Sequence, residues 1–481
     1  MTKPEVSTNV TLIRGLGLVA AVSIVVGNVI GQGVFLKARV MTCNVGSPVT
    51  VIAVWVGAGL LSLAGALTYA ELAAMMPRAG GEYVFVRDAY GRATGFLYGW
   101  MQIFIAKTGS QASLALGFVI FLKKLLPAGL LDDTYFTFSL GGFQIPFGTA
   151  QVLALGIIAF VTLINCAAVS VSGGVASVLT AIKIALVLAI GIGAFLLASG
   201  DFGHFASANA GGRCEGVDAA ARAGFAGFGA AMLGALWAYD GWNNLTLVAG
   251  EVKNPQRNIP IALIGGMAVV ASLYIFANVA YFYVLTPTEI ASVPADGAVA
   301  TEVASRFLGA FAVSLMAAAL LASTFGTLHT SILTGARVPY AMSRDGLFFK
   351  NLARLSSRSR VPVGALVVQG IWAGILALSG SYDKLTDYVI FASWIFYGLA
   401  TASVFIFRRR MPDAERPYRA WGYPVVPALF LLVTAWLLIN TLLTTPRQAI
   451  TGLLLIALGL PVYWYWSRHT AVPTDRVTID D

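Results

Sequence analysis

Long apolar stretches recur along this sequence from Leu12 to the region of Trp466. Each is near 20 residues, which as an α-helix crosses the roughly 30 Å hydrocarbon layer of a bilayer. Only 11% of the 481 residues are charged and 58% are hydrophobic, whereas roughly a quarter are charged in an ordinary soluble domain. The sequence therefore predicts an all-α polytopic membrane protein.

The stretches bounded by Pro, Gly or charged residues predict about twelve transmembrane helices. Their approximate centres are Gly27, Leu61, Thr108, Ile158, Ala189, Trp237, Leu273, Leu321, Trp372, Ile395, Thr434 and Ile456. The two tails and the loops after the second, sixth, eighth and tenth spans hold about 20 of the 31 basic residues, which by the positive-inside rule face the cytoplasm. Both termini are thus expected in the cytoplasm, in a bacterial-type inner membrane.

The net charge of +9 is concentrated on that face. The basic runs at Arg408 to Arg410 and Ser357 to Arg360 are interpreted as topology signals at a lipid surface. Nucleic-acid binding is not expected.

Two spans interrupt the apolar pattern with helix-breaking residues. The first reads V-V-G-N-V-I-G-Q-G-V-F from Val25 to Phe35, and the sixth reads L-W-A-Y-D-G-W-N-N from Leu236 to Asn244. Glycine, Asn and Asp lower helix propensity, and the bilayer offers no water to replace lost hydrogen bonds. Broken helices are therefore expected to line a protein cavity.

The breaks lie five spans apart, as expected for two inverted repeats that each open with a discontinuous helix. This predicts a 5+5 inverted-repeat fold. The predicted divisions are a cytoplasmic tail at 1–11, a first repeat of spans one to five at 12–200, an external loop at 201–222, a second repeat of spans six to ten at 223–407, a basic loop with spans eleven and twelve at 408–468, and a cytoplasmic tail at 469–481.

Unwound helices expose backbone N–H groups at one half-helix start and carbonyls at the other half-helix end. An amino acid zwitterion carries the complementary charges: amides around residues 31–33 would receive its carboxylate, and carbonyls near Val29, Trp237 and Asp240 its ammonium. The predicted substrate-binding residues are Val29, Ile30, Gly31, Gln32, Gly33, Trp237, Ala238 and Asp240.

Other interpretations of these residues stay open. Gly27 and Gly31 fit a small-xxx-small packing contact, although the paired break favours a binding site. Trp237 is predicted to act as a lid over the substrate, with lipid-facing bulk as the alternative. Asp240 either caps a half-helix or meets a cationic substrate, since an intramembrane carboxylate is costly without a partner.

Three charged or titratable side chains also lie within predicted spans. Lys183 either snorkels to the interface or occupies the space of a sodium ion, touching first-span carbonyls and the hydroxyls of Ser323 or Thr324. Lys107 is assigned a structural role by default. His329 is interpreted as a hydrogen-bonded packing residue, with proton transfer as the alternative.

The three cysteines have no metal-ligand spacing, and no metal or cofactor is expected. Cys43 and Cys214 both fall in predicted external loops, so a disulfide is an open alternative that the sparse cysteine content disfavours.

At these residues the chain resembles the amino acid–polyamine–organocation superfamily, within it the L-type amino acid transporter branch and its bacterial relatives. The match runs from Leu12 to about Arg419. It includes G-Q-G from Gly31, where the family has G-S-G. Three further motifs fit the family: P-R-A-G-G-E-Y from Pro77, W-A-Y-D-G-W-N from Trp237 and E-V-K-N-P-Q-R-N-I-P from Glu251.

The resemblance implies alternating access, substrate held by the first and sixth spans, and a lysine at Lys183 in members that work without sodium. The loop from Leu125 to Gly148 contains no cysteine, so the disulfide-linked heavy-chain subunit of animal members is not expected, and a monomer is predicted.

The expected function is sodium-independent exchange or facilitated or proton-coupled uptake of neutral amino acids. Alternatives are a polyamine or cationic amino acid transporter or antiporter, and a sodium-coupled symporter. An enzyme is not expected because the three histidines are scattered without catalytic company. A channel is disfavoured because no charged ring or filter-like loop is present.

Overall fold

The computed structural model describes residues 11–127, 129–131, 133–140, 143–207, 211–295, 297–379, 382–444 and 446–469. Within these ranges the protein is mostly helical. The α-helices are α1 Leu18–Val29, α2 Gly33–Val45, α3 Pro48–Met75, α4 Glu82–Tyr90, α5 Arg92–Met101, α6 Lys107–Lys123, α7 Thr149–Asn165, α8 Val169–Leu197, α9 Gly224–Ala238, α10 Asn244–Leu247, α11 Pro255–Val284, α12 Pro287–Ser292, α13 Val299–Leu308, α14 Phe311–Gly335, α15 Arg337–Arg344, α16 Val363–Ser379, α17 Tyr382–Arg410, α18 Val425–Thr444, α19 Pro446–Ala457 and α20 Gly459–His469.

Shorter elements connect or interrupt these helices. They are 3₁₀ helices at Phe202–Ala206, Ala219–Ala221, Ala249–Glu251 and Lys350–Ala353, a π-helix at Gln102–Ala106, and strands β1 Thr134–Leu140 and β2 Phe143–Gly148. The π-helix lies between α5 and α6, so this span is locally wider at its middle.

In the part of the chain that the structure describes, nine segments are long and apolar enough to cross a membrane. Three shorter apolar helices accompany them, at Thr149–Asn165, Gly224–Ala238 and Val363–Leu378. Every centre predicted from the sequence falls within one of these segments. Large apolar side chains such as Leu196, Ile371 and Leu443 point outwards, as expected where lipid rather than water surrounds a protein. The molecule is therefore a polytopic membrane protein.

The expectation of an all-α chain is wrong for one loop. Strands β1 and β2 pair antiparallel between α6 and α7, with Phe136 opposite Phe147 and Thr137 opposite Pro146. The first strand reads T-Y-F-T-F-S-L, a run of β-branched and aromatic residues that favours an extended backbone. The hairpin connects α6 to α7 and interrupts neither helix.

The two predicted interruptions are both present. The first span is divided between α1 and α2 by the three residues from Ile30 to Gln32. The sixth unwinds after α9 at Ala238 and resumes as the four-residue α10. The first helix lies at the centre, where α1 packs on α8, α11 and α14, while α2 packs on α9. Both breaks therefore lie inside the helical bundle.

Ion pairs cluster at what we call the basic end, the end that carries the α3–α4 loop, the segment after α10 and helix α15. There Arg337 binds Glu251 through two of its three guanidinium nitrogens at 2.7 and 2.9 Å, with both side chains fully buried. Glu71 likewise accepts from Arg408 at 2.7 and 2.9 Å. These pairs join elements that are distant in sequence: Glu251 pairs with α15, and Glu71 on α3 pairs with α17.

The opposite end is held covalently. Cys43 at the end of α2 and Cys214 form a disulfide across 171 residues, with Cα atoms 5.7 Å apart. The expectation from sparse cysteine content is therefore wrong. The fold brings the sulfurs together because Arg39 donates to the Glu215 carbonyl at 2.7 Å and the Cys214 amide donates to the Ala291 carbonyl at 3.0 Å.

Candidate binding site between the helix breaks

The first break leaves backbone groups without helical partners. The Ile30 amide makes the last helical bond, to Val26 at 2.8 Å, and the Gly31 amide turns back to the Val29 carbonyl at 2.7 Å. At the start of α2, the Gly33 amide has no partner among the described residues. Of the glycine amides predicted to receive a carboxylate, that of Gly33 is thus available, while that of Gly31 is already used.

The second break is a sequence of tight turns. The Asp240 amide donates to the Trp237 carbonyl at 3.2 Å, and the Asn244 amide donates to the Gly241 carbonyl at 3.2 Å. Gly241 has a φ of +101°, a backbone conformation open to glycine and strained for other residues. The Asp240 carboxylate accepts a hydrogen bond of 2.8 Å from the Tyr397 hydroxyl, which gives this partly buried side chain a polar partner.

One side chain joins the breaks to each other. The Tyr274 hydroxyl on α11 lies 2.8 Å from the Val29 carbonyl oxygen and 3.0 Å from the Ala238 carbonyl oxygen. The Val29 oxygen therefore meets both Tyr274 and the Gly31 amide, which occupies its two lone pairs. Tyr274 is not predictable as a site residue from the sequence, because a tyrosine in an apolar helix is ordinarily a packing residue until the fold places its hydroxyl.

A cavity of about 110 Å³ lies between the two breaks. Of the predicted binding residues, it is lined by Val29, Gly31, Gln32, Gly33, Trp237, Ala238 and Asp240. Ile30 does not line it, because this residue is fully buried and its carbonyl faces away towards Lys183. The π-helix and α6 contribute the polar residues Gln102, Lys107, Ser110 and Ser113, α14 contributes Thr327 and Ser331, and α17 contributes Ser393 and Tyr397.

Lys183 lies behind the first break and almost entirely out of solvent. Its ammonium donates to the carbonyls of Gly27 and Ile30 and to the Thr327 hydroxyl, each at 2.7 Å. All three N–H donors therefore have an oxygen acceptor. Lys183 does not snorkel to the interface; it binds the carbonyls that the break frees.

The hydroxyl that meets Lys183 is Thr327, not the predicted Ser323 or Thr324. Ser323 lies one turn earlier on α14 and donates towards the Gly31 carbonyl at 3.1 Å. Thr324 accepts from the Gln32 side-chain amide at 3.1 Å. The predicted residues thus contact the same break, but residue 327 is the one that the helical period places beside Lys183.

Lys107 lines the cavity instead of serving only as a packing residue. Its ammonium donates to the Asn244 side-chain oxygen at the second break, and Asp240 lines the same cavity. A cation and an anion therefore face one space. The sequence identifies Lys107 as an intramembrane charge, but only the fold shows that the start of α6 lies beside the second break.

Trp237 lies between two cavities. It lines the central one and a second cavity of about 380 Å³ towards the opposite end, together with Lys37, Asp218 and Trp394. The Lys37 ammonium lies 4.5 Å from the centre of a Trp237 ring, within the range of a cation–π contact.

His329 is fully buried on α14, away from the cavity lining. Neither ring nitrogen has a hydrogen-bond partner among the described residues. The interpretation of His329 as a hydrogen-bonded packing residue is therefore wrong. Its backbone carbonyl accepts from Asn165 at 3.2 Å.

Known proteins resemble this chain over most of its length. Residues 16–465 match the family model described as amino acid permease. The chain is 32% identical to the serine/threonine exchanger SteT of Bacillus subtilis, over 95% of this chain and 98% of that protein. It is 30% identical to the b(0,+)-type amino acid transporter 1 of Mus musculus, over 97% of this chain and 92% of that protein.

A third relative is the large neutral amino acids transporter small subunit 2 of Oryctolagus cuniculus, 32% identical over 99% of this chain and 86% of that protein. The family match covers nearly the whole helical region, including both breaks and the cavity between them. The chain therefore belongs to the amino acid permease family of the amino acid–polyamine–organocation superfamily.

Proposed function

We propose that the protein is a sodium-independent amino acid transporter that works by alternating access, with neutral amino acids as its main substrates. The observation that carries this proposal is the cavity between two helix breaks, with Lys183 bound to the carbonyls of the first. The family and its transporter relatives support amino acid transport over an enzymatic role. Exchange is the favoured mode, with facilitated or proton-coupled uptake as the alternative.

The substrate backbone would bind between the breaks. The Gly33 amide at the start of α2 offers a donor to a carboxylate, aided by the partial positive charge of a helix N-terminus. The carbonyl end of α9, near Trp237 and Asp240, offers acceptors to an ammonium group. Trp237 would act as the gate, because it lies between this cavity and the one towards the opposite end.

Lys183 would replace a sodium ion. A sodium site in a broken helix uses backbone carbonyls and hydroxyls, and here two carbonyls and the Thr327 hydroxyl each bind the ammonium at 2.7 Å. An ion that needs those oxygens must compete with a tethered cation. Sodium-coupled symport is therefore the less favoured mechanism.

We propose the 5+5 arrangement for the fold. Spans one to five would form one repeat at 12–200 and spans six to ten the other at 223–407, joined by the loop at 201–222. The twelve apolar segments and the corresponding positions of the breaks support this arrangement. Residues 408–468 would hold the last basic loop and two further spans.

The basic end would face the cytoplasm of a bacterial-type inner membrane, with both tails on that side. The disulfide at the opposite end fits an oxidising compartment there. We further propose a monomer without a heavy-chain subunit, because Cys43 and Cys214 are bonded to each other and the loop before α7 has no cysteine.

A cationic amino acid is the second candidate substrate. The Asp240 carboxylate lines the cavity and would attract an ammonium or guanidinium side chain. The Lys107 ammonium lines the same cavity and would repel a cationic substrate. We therefore rank neutral amino acids as the favoured substrates and polyamines as the least favoured.

The test is uptake of radiolabelled amino acids by reconstituted liposomes, with choline in place of sodium. Uptake that requires preloaded unlabelled amino acid would identify an exchanger. Equal uptake by empty vesicles, increased by an inward proton gradient, would identify a symporter. No amino acid uptake in either case, or uptake that disappears in choline, would contradict the proposal.

A further inference from the structure

A second charged cavity lies at the basic end, far from the helix breaks. It has a volume of about 570 Å³ and opens between the segment before α1, the α3–α4 region and α15. Its charged lining consists of Arg14, Arg78, Arg87, Arg344 and Asp345. Four arginines thus face one carboxylate, and none of these residues belongs to the central cavity.

The one carboxylate is already occupied. Asp345 pairs with Arg87 and also accepts from the Tyr83 hydroxyl at 2.8 Å. Arg14, Arg78 and Arg344 make no ion pair with any residue that the structure describes. These three exposed guanidinium groups face one space without a carboxylate partner among the described residues, and an anion between them would be attracted by all three.

The chemistry of the donors selects the anion. A guanidinium is a planar fork of N–H donors that matches phosphate oxygens in pairs. Arg14 precedes α1, Arg78 follows the end of α3, and Arg344 is the last residue of α15. All three therefore lie at the ends of spans, the depth at which lipid headgroups lie.

We propose that this cavity binds a phosphate group, carried either by an anionic lipid headgroup or by a small soluble phosphate ester. The proposal goes beyond amino acid transport and does not depend on which amino acid is carried.

The cavity also joins segments from both halves of the chain. The Leu16 amide donates to the Glu251 carbonyl at 2.9 Å and the Gly80 amide to the Leu247 carbonyl at 2.9 Å. A phosphate bound by Arg14, Arg78 and Arg344 would add a further link between these segments. It would thereby stabilise the contacts between these segments.

Binding is tested on the purified full chain in neutral detergent with two probes, dihexanoyl-phosphatidylglycerol and glycerol phosphate. Each is titrated while Tm and binding are followed. We expect Arg14→Gln with Arg78→Gln, and separately Arg344→Gln, to weaken binding about tenfold or more, since each removes charge-assisted bonds to the anion. The matched control is Arg358→Gln, which removes one exposed arginine outside the cavity.

The two probes distinguish the sources. Binding of both probes would show that a soluble phosphate ester is a sufficient ligand for the cavity. Binding of the lipid alone would identify the ligand as a lipid headgroup. No binding of either probe, unchanged binding in both cavity variants, or an equal loss in the control would overturn the proposal. Because Arg344 is exposed, its variant is expected to keep the wild-type elution profile, so a loss of binding there is not a loss of folding.

Discussion

The first break separates helices of 12 and 13 residues by three residues, whereas the second follows a helix of 15 residues and leads into one of only four. Carbonyls of the first are satisfied from a distance, by Lys183 on α8 and by Ser323 and Thr327 on α14. The second closes largely on itself through consecutive backbone turns around Gly241.

This difference indicates what each break depends on. The first needs an added cation, because free carbonyls in a bilayer have no water to bind. The second needs a residue that can adopt its turn, since its amides find carbonyls within a few positions. We therefore expect the first to be sensitive to the loss of one charge and the second to the addition of one methyl group.

The largest effect is expected from Lys183→Ala. It removes the charged donor of two buried carbonyls and a hydroxyl. A hydrogen bond to a charged group contributes about 1.5–3 kcal/mol, so amino acid exchange in proteoliposomes should fall at least about a hundredfold. The control is Ile182→Ala, which changes an exposed apolar neighbour on the same helix. An unaltered rate and pH profile in the lysine variant would contradict the proposed role.

Next is the comparison of Gly241→Ala with Gly31→Ala. An alanine at 241 would adopt φ near +101° and place Cβ 3.1 Å from the Asn28 Cβ, at a cost of about 1–3 kcal/mol. At 31 the nearest atom to the added carbon is the Thr327 hydroxyl at 3.7 Å. Thermal unfolding in detergent should show the larger loss of stability for Gly241→Ala. Equal losses would mean that the turn is not what the second break depends on.

Asp240→Asn should change substrate choice more than total activity. The amide keeps an oxygen for the Tyr397 hydroxyl, which lies at 2.8 Å in the wild type, but loses the negative charge in the cavity. We expect any competition by arginine or lysine to fall about tenfold or more, while neutral amino acid exchange stays within a few-fold. Competition assays measure both. An equal loss for neutral and cationic substrates would assign Asp240 to the structure of the break.

Much of this framework was predictable from local sequence. Hydropathy placed the spans, and clustered Gly, Asn and Asp placed both breaks, because these signals depend on neighbouring residues alone. The partners of the breaks were not predictable in the same way. Ser323 and Thr324 were predicted to contact Lys183, whereas Thr327 does. The rotation of α14 about its axis decides which hydroxyl within one helical turn faces Lys183, and the sequence alone does not determine that rotation.

Long-range pairings were harder still. Lys107 meets Asn244 and Cys43 meets Cys214 only after distant helices pack. The strands β1 and β2 were not predicted, because a two-stranded hairpin in one loop leaves the predominantly helical hydropathy pattern unchanged. For Lys107 and Cys43 the missing information was tertiary, since their partners lie 137 and 171 residues away in sequence.

The smallest effect is expected from Tyr274→Phe, which tests whether the two breaks are coupled. The variant keeps the ring, which packs edge-on against Trp55 at 5.2 Å, and removes the hydroxyl between the Val29 and Ala238 carbonyls. A loss of about 1 kcal/mol in stability is expected for this bond. The control is Tyr281→Phe on the same helix, whose hydroxyl makes no side-chain hydrogen bond with the described residues.

If the Tyr274 hydroxyl couples the two breaks, the loss of stability in Tyr274→Phe combined with Gly241→Ala should be smaller than the sum of the losses in the two single variants. Additive losses would instead mean that each break is stabilised independently, and Tyr274 would then serve only the break whose carbonyl it satisfies.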